Sequence, residues 1–403
     1  MQTDITAELL ETPAGREAEA ILRACVHCGF CTATCPTYQL LGDEQDGPRG
    51  RIYQIKRVLE GHAPSRITQL HLDRCLSCRA CETTCPSGVR YARLADIGRA
   101  QVDAQVLRPI RERFLRRALV AVLPHLTRLR PLLRLARLVA PLLPPRLRAK
   151  LPKERPVGAR PEPTNGRRMV ALGGCVQAAA TPQTNAAAAR LLAQLGIDLI
   201  EPAGAGCCGA VAYHLGDRAA ALDAMRGNID AWWPEIAAGA EAILVNASGC
   251  GAFIKEYGEI LTEDSRYAEK AARVAELARD SIEVVAAEDL APLGRPGRDQ
   301  RIAFHAPCTL QHGQRLGQRV EPLLTDLGFR LTAVPDAHLC CGSAGTYSIT
   351  QPELSAQLGA AKLKALLSED PELIATANVG CQLHLAAGTP TPVVHWLELL
   401  APP

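Results

Sequence analysis

The chain has 403 residues, with 45 Lys and Arg against 42 Asp and Glu for a formal net charge of +3. That length allows two or three domains, each with its own core. The near balance of charge supplies no field for a polyanionic partner, and an aromatic content of 4% leaves few platforms for stacking bases. A nucleic-acid binder is therefore excluded.

Residues 1–100 carry eight of the sixteen cysteines. The opening Met1-Gln2-Thr3-Asp4-Ile5-Thr6-Ala7-Glu8 has no basic stretch leading into an apolar one, so no secretory signal is expected. The compartment is then the reducing cytoplasm, where clustered cysteines read as metal ligands rather than disulfides. Cys25, Cys28, Cys31 and Cys35, the last followed by Pro36, form C-x2-C-x2-C-x3-C-P. Cys75, Cys78, Cys81 and Cys85, followed by Pro86, repeat it without deviation. Three close thiolates wrap one corner of a [4Fe–4S] cube, and the fourth swings away to the other cube. Cluster one then takes Cys25, Cys28, Cys31 and Cys85, and cluster two takes Cys75, Cys78, Cys81 and Cys35. A four-cysteine zinc site needs two separated C-x2-C pairs and has no use for a third and fourth cysteine in each block. His27, inside the first block, reads as a surface residue of a tight loop.

Between the blocks, Ile52, Ile55, Val58 and Leu59 fall on one face of a helix. Gly47-Pro48 starts it and Gly61 ends it. This region resembles the α-helical ferredoxin module of succinate dehydrogenase-type iron–sulfur subunits.

Residues 101–166 hold no cysteine. From Arg108 to Lys150 there are twelve Arg or Lys and one acid, Glu112. The apolar run Ala118 to Leu143 is broken by Arg128, Arg130, Arg134 and Arg137, so no membrane-spanning helix is expected. Pro124, Pro131 and Pro141 are expected to cut the segment into short helices. Three readings stay open: a solvated connector, a dock for an acidic partner, or a segment lying on an anionic membrane surface. Residues 151–166 form a Pro/Gly-rich linker.

Residues 167–403 contain a repeat at a spacing of about 130 residues. Cys175 precedes the pair Cys207-Cys208 as Cys308 precedes Cys340-Cys341, each across 31 intervening residues. Each copy ends in a Gly-Cys step, at Cys250 and Cys381. Candidate strands are 168–172, 197–200 and 242–245 in one copy, and 301–304, 329–334 and 373–376 in the other. Helices are expected over 185–195 and 319–327. Strands alternating with helices predict a mostly parallel sheet in each copy, with the cysteines on its loops. The expected fold class is mixed: an α-helical ferredoxin-like domain (1–100), a basic connector (101–166), and two duplicated α/β cysteine-rich domains (167–295 and 296–403). Gly204-Ala205-Gly206-Cys207-Cys208-Gly209 has the G-x-G-x-x-G form. A dinucleotide turn has no place for two thiols, so these glycines read as relief of crowding.

The C-x31-C-C-G pattern followed by a later cysteine resembles the cysteine-rich domain of heterodisulfide reductase subunits. With the ferredoxin blocks, and with Gly47–Tyr53 and Asn246–Gly251, the chain resembles the glycolate oxidase (glycolate dehydrogenase) iron–sulfur subunit family over residues 18 to 400. Lactate-utilisation proteins and the anaerobic glycerol-3-phosphate dehydrogenase C subunit share the architecture. One departure stands out: the family pattern closes each cysteine-rich domain with C-x-x-C, and here Ala247 and Asn378 occupy the earlier positions. Cys175, Cys207, Cys208 and Cys250, and likewise Cys308, Cys340, Cys341 and Cys381, either ligate further iron–sulfur clusters or serve as structural or redox thiols. His305, beside Cys308, either tunes a sulfur or is a strand-end residue satisfied by backbone.

The resemblance implies an electron-transfer subunit without a catalytic residue of its own. FAD and glycolate oxidation to glyoxylate would belong to a partner subunit, and electrons would pass to a quinone-type acceptor. The location implied is cytoplasmic, either free or peripheral on the inner membrane. Equivalent subunits for lactate, another 2-hydroxy acid or glycerol-3-phosphate are the alternative. A thiol–disulfide redox protein built on the paired cysteines is the alternative of another class.

Overall fold

The computed structural model describes residues 1–144, 148–164 and 166–402. Pro145, Arg146 and Leu147 of the basic segment and Asn165 of the linker lie outside the described residues. The chain forms two compact units, residues 1–116 with 338–362, and residues 117–337 with 363–403.

The first unit is helical through residues 1–116. The helix Pro48–Leu59 begins where the sequence predicts it, with Gly47 extended at the N-cap and Pro48 at its first position. Proline fits there because its missing N–H has no partner in a first turn. Ile52, Ile55, Val58 and Leu59 are all buried, so the apolar face faces the core as expected. They meet Ala18 and Leu22 of Pro13–Ala24, Leu72 of Arg66–Asp73, and Leu94 and Val102 of Tyr91–Gln105. Helices Pro48–Leu59 and Tyr91–Gln105 approach closely at Gly98, where a Cβ would sit 2.5 Å from Ile55 Cγ1. Each fully buried Leu or Ile here contributes roughly 1.5–3 kcal/mol.

The second unit holds two four-stranded parallel sheets of the same design. In the first, β1 (Arg167–Ala171), β2 (Ile197–Ile200), β3 (Ile243–Val245) and β4 (Ala278–Asp280) run in the order β2-β1-β3-β4. In the second, β5 (Arg301–His305), β6 (Arg330–Leu331), β7 (Leu373–Thr376) and β8 (Val393–His395) run β6-β5-β7-β8. Both central pairs are parallel, with Val170 opposite Ile243 and Ile302 opposite Leu373. Strands β3 and β7 are buried throughout, as expected of parallel strands covered on both faces. The sequence reading missed β4 and β8, each three residues long, and overextended β6, which spans two residues.

The two sheets share one core. Met169, Leu191, Leu244 and Ile282 belong to the same buried cluster as Ile302, Leu324, Leu373 and Trp396. The carboxyl ends of strands lead into the cysteines: β1 to Cys175, β2 to Cys207, β3 to Cys250, β5 to Cys308 and β7 to Cys381. In a parallel sheet that end is where ligands are received.

The basic segment departs from expectation at one proline. Pro131 lies inside the helix Leu126–Leu138 and does not end it. One intrahelical N–H is lost there, and the remaining bonds carry the helix across. Arg108 and Arg116 are bound within the first unit, to Asp73 at 2.5 and 3.1 Å. Leu132, Leu135 and Leu138 are exposed along one face of Leu126–Leu138. Among the described residues, no helix is long and apolar enough to cross a membrane.

Candidate iron–sulfur sites

The two N-terminal cysteine blocks adopt the same loop. The residue two after the first cysteine is left-handed in both, His27 at φ 58° and Ser77 at φ 51°. The residue four after it is left-handed as well, Gly29 at 89° and Arg79 at 62°. These reversals curl the loop so that the first three sulfurs face inward around one point. Nothing in the types His27, Ser77 and Arg79 signals this, because non-glycine residues seldom take φ > 0. His27 is exposed, as the sequence reading has it.

Each block then contributes its fourth cysteine to the other's cavity. One cavity is lined by Cys25, Cys28, Cys31 and Cys85, with Cys81 also in its wall. A second is lined by Cys75, Cys78, Cys81 and Cys35. Cys35 and Cys85 stand directly before Pro36 and Pro86, and both have extended backbone (φ −86° and −77°). The blocks are tied where they cross, by Thr34 Oγ1 and Thr84 Oγ1 at 3.1 Å. Four sulfur donors around a cavity suit iron–sulfur ligation.

Both cavities hold a thiol pushed up, Cys31 in one and, by burial and then the Cys78 and Cys75 sulfurs, Cys81 in the other, but the second also holds one drawn down. Burial and then the neighbouring Cys25 sulfur push the Cys31 thiol up to about 11. Burial pushes Cys75 upward too, but Arg51, Arg99, the Ser77 N–H and the Tyr91 hydroxyl outweigh it, and its pKa falls below the ordinary thiol value. A depressed thiol is one already disposed to act as a thiolate ligand.

In the second unit, the four cysteines of the first repeat come together as a string. Cys175, Cys207, Cys208 and Cys250 lie within electrostatic reach of one another, Cys207 acting on Cys175 and Cys208, and Cys250 on Cys208. Interaction with Cys175 draws Cys207 down, yet Cys208 and burial prevail and push its pKa up to about 12. The Cys207-Cys208 turn is anchored by Asn228, which accepts from Gly206 N at 2.8 Å and donates to Cys207 O at 2.8 Å. Tyr257 Oη donates to Cys208 O at 2.6 Å. Gly209, at φ 93°, turns its N–H to Cys207 Sγ at 3.5 Å. The glycine of the G-x-G-x-x-G string thus serves a sulfur, in keeping with the reading that it relieves crowding. A Cβ there would stand 3.0 Å from Ala221 O.

The second repeat copies the turn. Gly342, at φ 86°, donates to Cys340 Sγ at 3.4 Å within the first unit. In the second unit, Cys308 follows β5 and the buried Cys381 lies on the helix Val379–Ala386. Asn378, at the position the family pattern gives to cysteine, donates through Nδ2 to Cys381 Sγ at 3.5 Å. Its Oδ1 accepts from Gly249 N at 3.2 Å, next to Cys250. His305 Nδ1 lies 3.0 Å from Thr376 Oγ1, so a hydroxyl rather than the expected backbone group holds this ring nitrogen. A ring nitrogen of His305 is also within 4.8 Å of Cys381 Sγ.

An all-helical unit with two crossed cysteine cavities, joined in one chain to two parallel sheets with cysteines at their carboxyl ends, defines an iron–sulfur electron carrier. Residues 21–89 match the 4Fe-4S dicluster domain, and residues 170–255 and 302–386 each match the cysteine-rich domain family. The glycolate oxidase iron–sulfur subunit of Escherichia coli (strain K12) is 56% identical over 402 residues, 99% of this chain and 98% of that one. The "Probable glycolate oxidase iron-sulfur subunit" of Bacillus subtilis (strain 168) is 31% identical, across 93% of this chain and 90% of its own. Lactate utilization protein A of Geobacillus thermodenitrificans (strain NG80-2) is 30% identical across 53% of this chain and 90% of its own. The chain belongs to the family of glycolate oxidase iron–sulfur subunits.

Proposed function

We propose that Cys25, Cys28, Cys31 and Cys85 hold one [4Fe–4S] cluster and Cys75, Cys78, Cys81 and Cys35 the other, in a complex that oxidises glycolate to glyoxylate. The observation that supports this most is the crossed lining of the two cavities, each walled by three cysteines of one block and the fourth of the other. Each cluster, when bound, accepts and releases one electron at a time. Glycolate oxidation releases two electrons and two protons, which a flavoprotein partner bearing FAD takes up. The electrons then leave singly through this chain to a quinone-type acceptor, which takes them up with two protons.

The chain's own residues do the holding and the shielding. Leu76, Val89 and Tyr91 bury the cavities' inner walls and keep water from the inward sulfurs. The left-handed turns at His27 and Ser77 fix the loops before metal arrives. Cys175, Cys207, Cys208 and Cys250 form a further candidate site, and the second repeat carries cysteines at the matching positions, Cys308, Cys340, Cys341 and Cys381. The exposed Leu132, Leu135 and Leu138, with Arg130, Arg134 and Arg137 on the same helix, suit peripheral contact with an anionic membrane surface.

The test is reconstitution. The anaerobically purified chain is expected to be inert toward glycolate with an artificial dye, and to support turnover once the flavoprotein partner is added. Glycolate-dependent dye reduction by the flavin-free chain overturns the division of labour. A purified complex that turns over lactate and not glycolate moves the assignment to the lactate branch.

A further inference from the structure

The two cavities carry one motif in unlike surroundings. In the cavity of Cys25, Cys28 and Cys31, Cys28 is exposed and the neighbouring Val26 and Phe30 are 66% and 61% exposed. The arginine in its wall, Arg49, is paired with Glu44 at 2.6 Å. Positive charge is largely cancelled there, and the edge is open to water.

The cavity of Cys75, Cys78 and Cys81 is built the other way. Cys75 Sγ receives the Ser77 N–H at 3.4 Å and the Tyr91 hydroxyl at 3.6 Å. Arg51, 1% exposed, lines this cavity. Its guanidinium donates to His71 O at 2.7 Å, Thr37 Oγ1 at 3.1 Å and Asp46 Oδ1 at 3.3 Å. Asp46 also receives Arg74 at 2.8 Å and lies 3.0 Å from His71 Nδ1, so one carboxylate serves two arginines. Arg99 donates to Cys75 O at 2.9 Å and to Ser77 Oγ at 2.9 Å, bringing a third guanidinium to the same loop. Asp96 lies 3.8 Å from Arg99, so three guanidinium groups stand against two carboxylates; the balance stays positive, and Arg51 carries it away from solvent, where it acts at low dielectric.

Reduction adds one negative charge to a cluster. Donors on its sulfurs and nearby cations favour the reduced form and raise the potential. Water at the Cys28 edge acts in the same direction, so the ordering of the two potentials turns on whether the fixed donors and the buried Arg51 outweigh it. We infer that the centre of Cys35, Cys75, Cys78 and Cys81 has the higher potential of the pair, that Tyr91, Arg51 and Arg99 are the positioning residues that raise it, and that electrons entering at the exposed Cys28 edge run toward it. The inference rests on the ligand sets proposed above.

A second feature of the first unit agrees with that direction. Tyr347, buried at 5% exposure, donates its hydroxyl to Arg74 O at 3.1 Å, one residue before Cys75. It lies within electrostatic reach of both Cys75 and Cys340. The higher-potential centre therefore sits beside the loop bearing Cys340 and Cys341.

The experiment is a redox titration of the full-length, anaerobically reconstituted chain, followed by electron paramagnetic resonance. Two reduction steps are expected from the dicluster unit, recognised as those lost in Cys28→Ala and Cys78→Ala, and Cys78→Ala should abolish the higher of them. Tyr91→Phe removes a single hydroxyl; it should move the higher step to lower potential and leave the other in place. Arg99→Gln should shift the same step the same way, which guards against one variant failing to load. The inference is overturned if Cys78→Ala removes the lower step, or if Tyr91→Phe moves the lower step, both steps or neither. Fewer than two cubes by iron and sulfide assay of the unsubstituted chain sinks the ligand reading, and this inference with it. Two cubes with reversed potentials sink only the inference.

Discussion

The dicluster unit and the first cysteine-rich repeat both gather cysteines, but they do so in opposite ways. In the dicluster unit the sulfurs stand around open cavities, held apart by left-handed loop residues and faced by arginines. In the repeat, Cys175, Cys207, Cys208 and Cys250 are gathered in a buried string, and burial with the neighbouring sulfurs pushes the Cys175, Cys207 and Cys208 thiols up. The first arrangement is preorganised for a compact multi-iron core. Buried thiols in both, Cys31 and Cys81 as well as Cys207, must give up protons to ligate a metal, so the loading of either is tied to pH.

The largest test of that contrast is crossed substitution. Cys85→Ala should abolish the paramagnetic signal that Cys28→Ala abolishes, and Cys35→Ala the one that Cys78→Ala abolishes. If Cys85→Ala copies Cys78→Ala instead, each block closes around its own cube and the crossed architecture is wrong.

Alkylation sharpens the contrast in the metal-free chain. Cys28 is exposed, whereas Cys207 is buried with its pKa pushed up to about 12. Thiolate is the reactive form, so at pH 8 iodoacetamide should label Cys28 at least about a hundredfold faster than Cys207. Mass spectrometry of timed digests reads the ratio, and equal labelling would mean the string is open.

Gly209→Ala probes the turn that builds the string. A left-handed φ and a Cβ 3.0 Å from Ala221 O together should destabilise the second unit by about 2 kcal/mol. Chemical denaturation should show it as a lower midpoint, and an unchanged midpoint removes the packing argument for that glycine.

The pH dependence of stability should carry the mark of His395. Burial holds this ring down to about 4 from 6.5, against the opposing pull of the Asn246 and Ala377 carbonyls. Its Nε2 donates to Asn246 O at 2.8 Å, and its Nδ1 accepts from Leu397 N at 3.3 Å, a pattern only the neutral ring can make. Below about 6.5 the unfolded chain takes up a proton that the folded chain refuses. The contribution is thus complete above 6.5 and is lost as pH falls toward 4. His395→Gln should flatten the stability profile across that window. Tyr257→Phe is the smallest change, removing the hydroxyl bond to Cys208 O for about 1 kcal/mol.

Much of this was legible in the sequence. The cysteine blocks announce their chemistry by spacing alone, and Gly47-Pro48 with four apolar residues on one face marks the helix Pro48–Leu59. The duplication is plain from matched cysteines and leucines, and β2 and β7 fall where the apolar runs predict. What escaped is what depends on distant partners. β4 and β8 are three residues each, too short for a period to show. Helical spacing assigns Arg51 no role, and only tertiary structure brings Asp46, Thr37 and the His71 carbonyl around it. The helix across Pro131 defied a local rule because one missing N–H is less than the rest of the helix supplies. Asn378 looked like a lost ligand, whereas it bonds Cys381 and reaches the other repeat at Gly249.

The core common to both sheets makes the covalent repeat something other than the unit of folding. The helix Trp396–Leu400 closes the second copy, yet Glu398 accepts from Thr184 at 2.7 Å and Arg190 donates to Ala401 O at 2.9 Å, both in the first. A chain severed between the copies would leave each half with a raw apolar face, sticky alone and soluble only when the halves are produced together and find each other. After tandem duplication such an interlock forbids the loss of either copy, while leaving the cysteine loops at the sheet ends free to diverge in chemistry. Ala247 in one copy and Asn378 in the other, each three residues before a matched cysteine, are a difference of the kind that this arrangement permits.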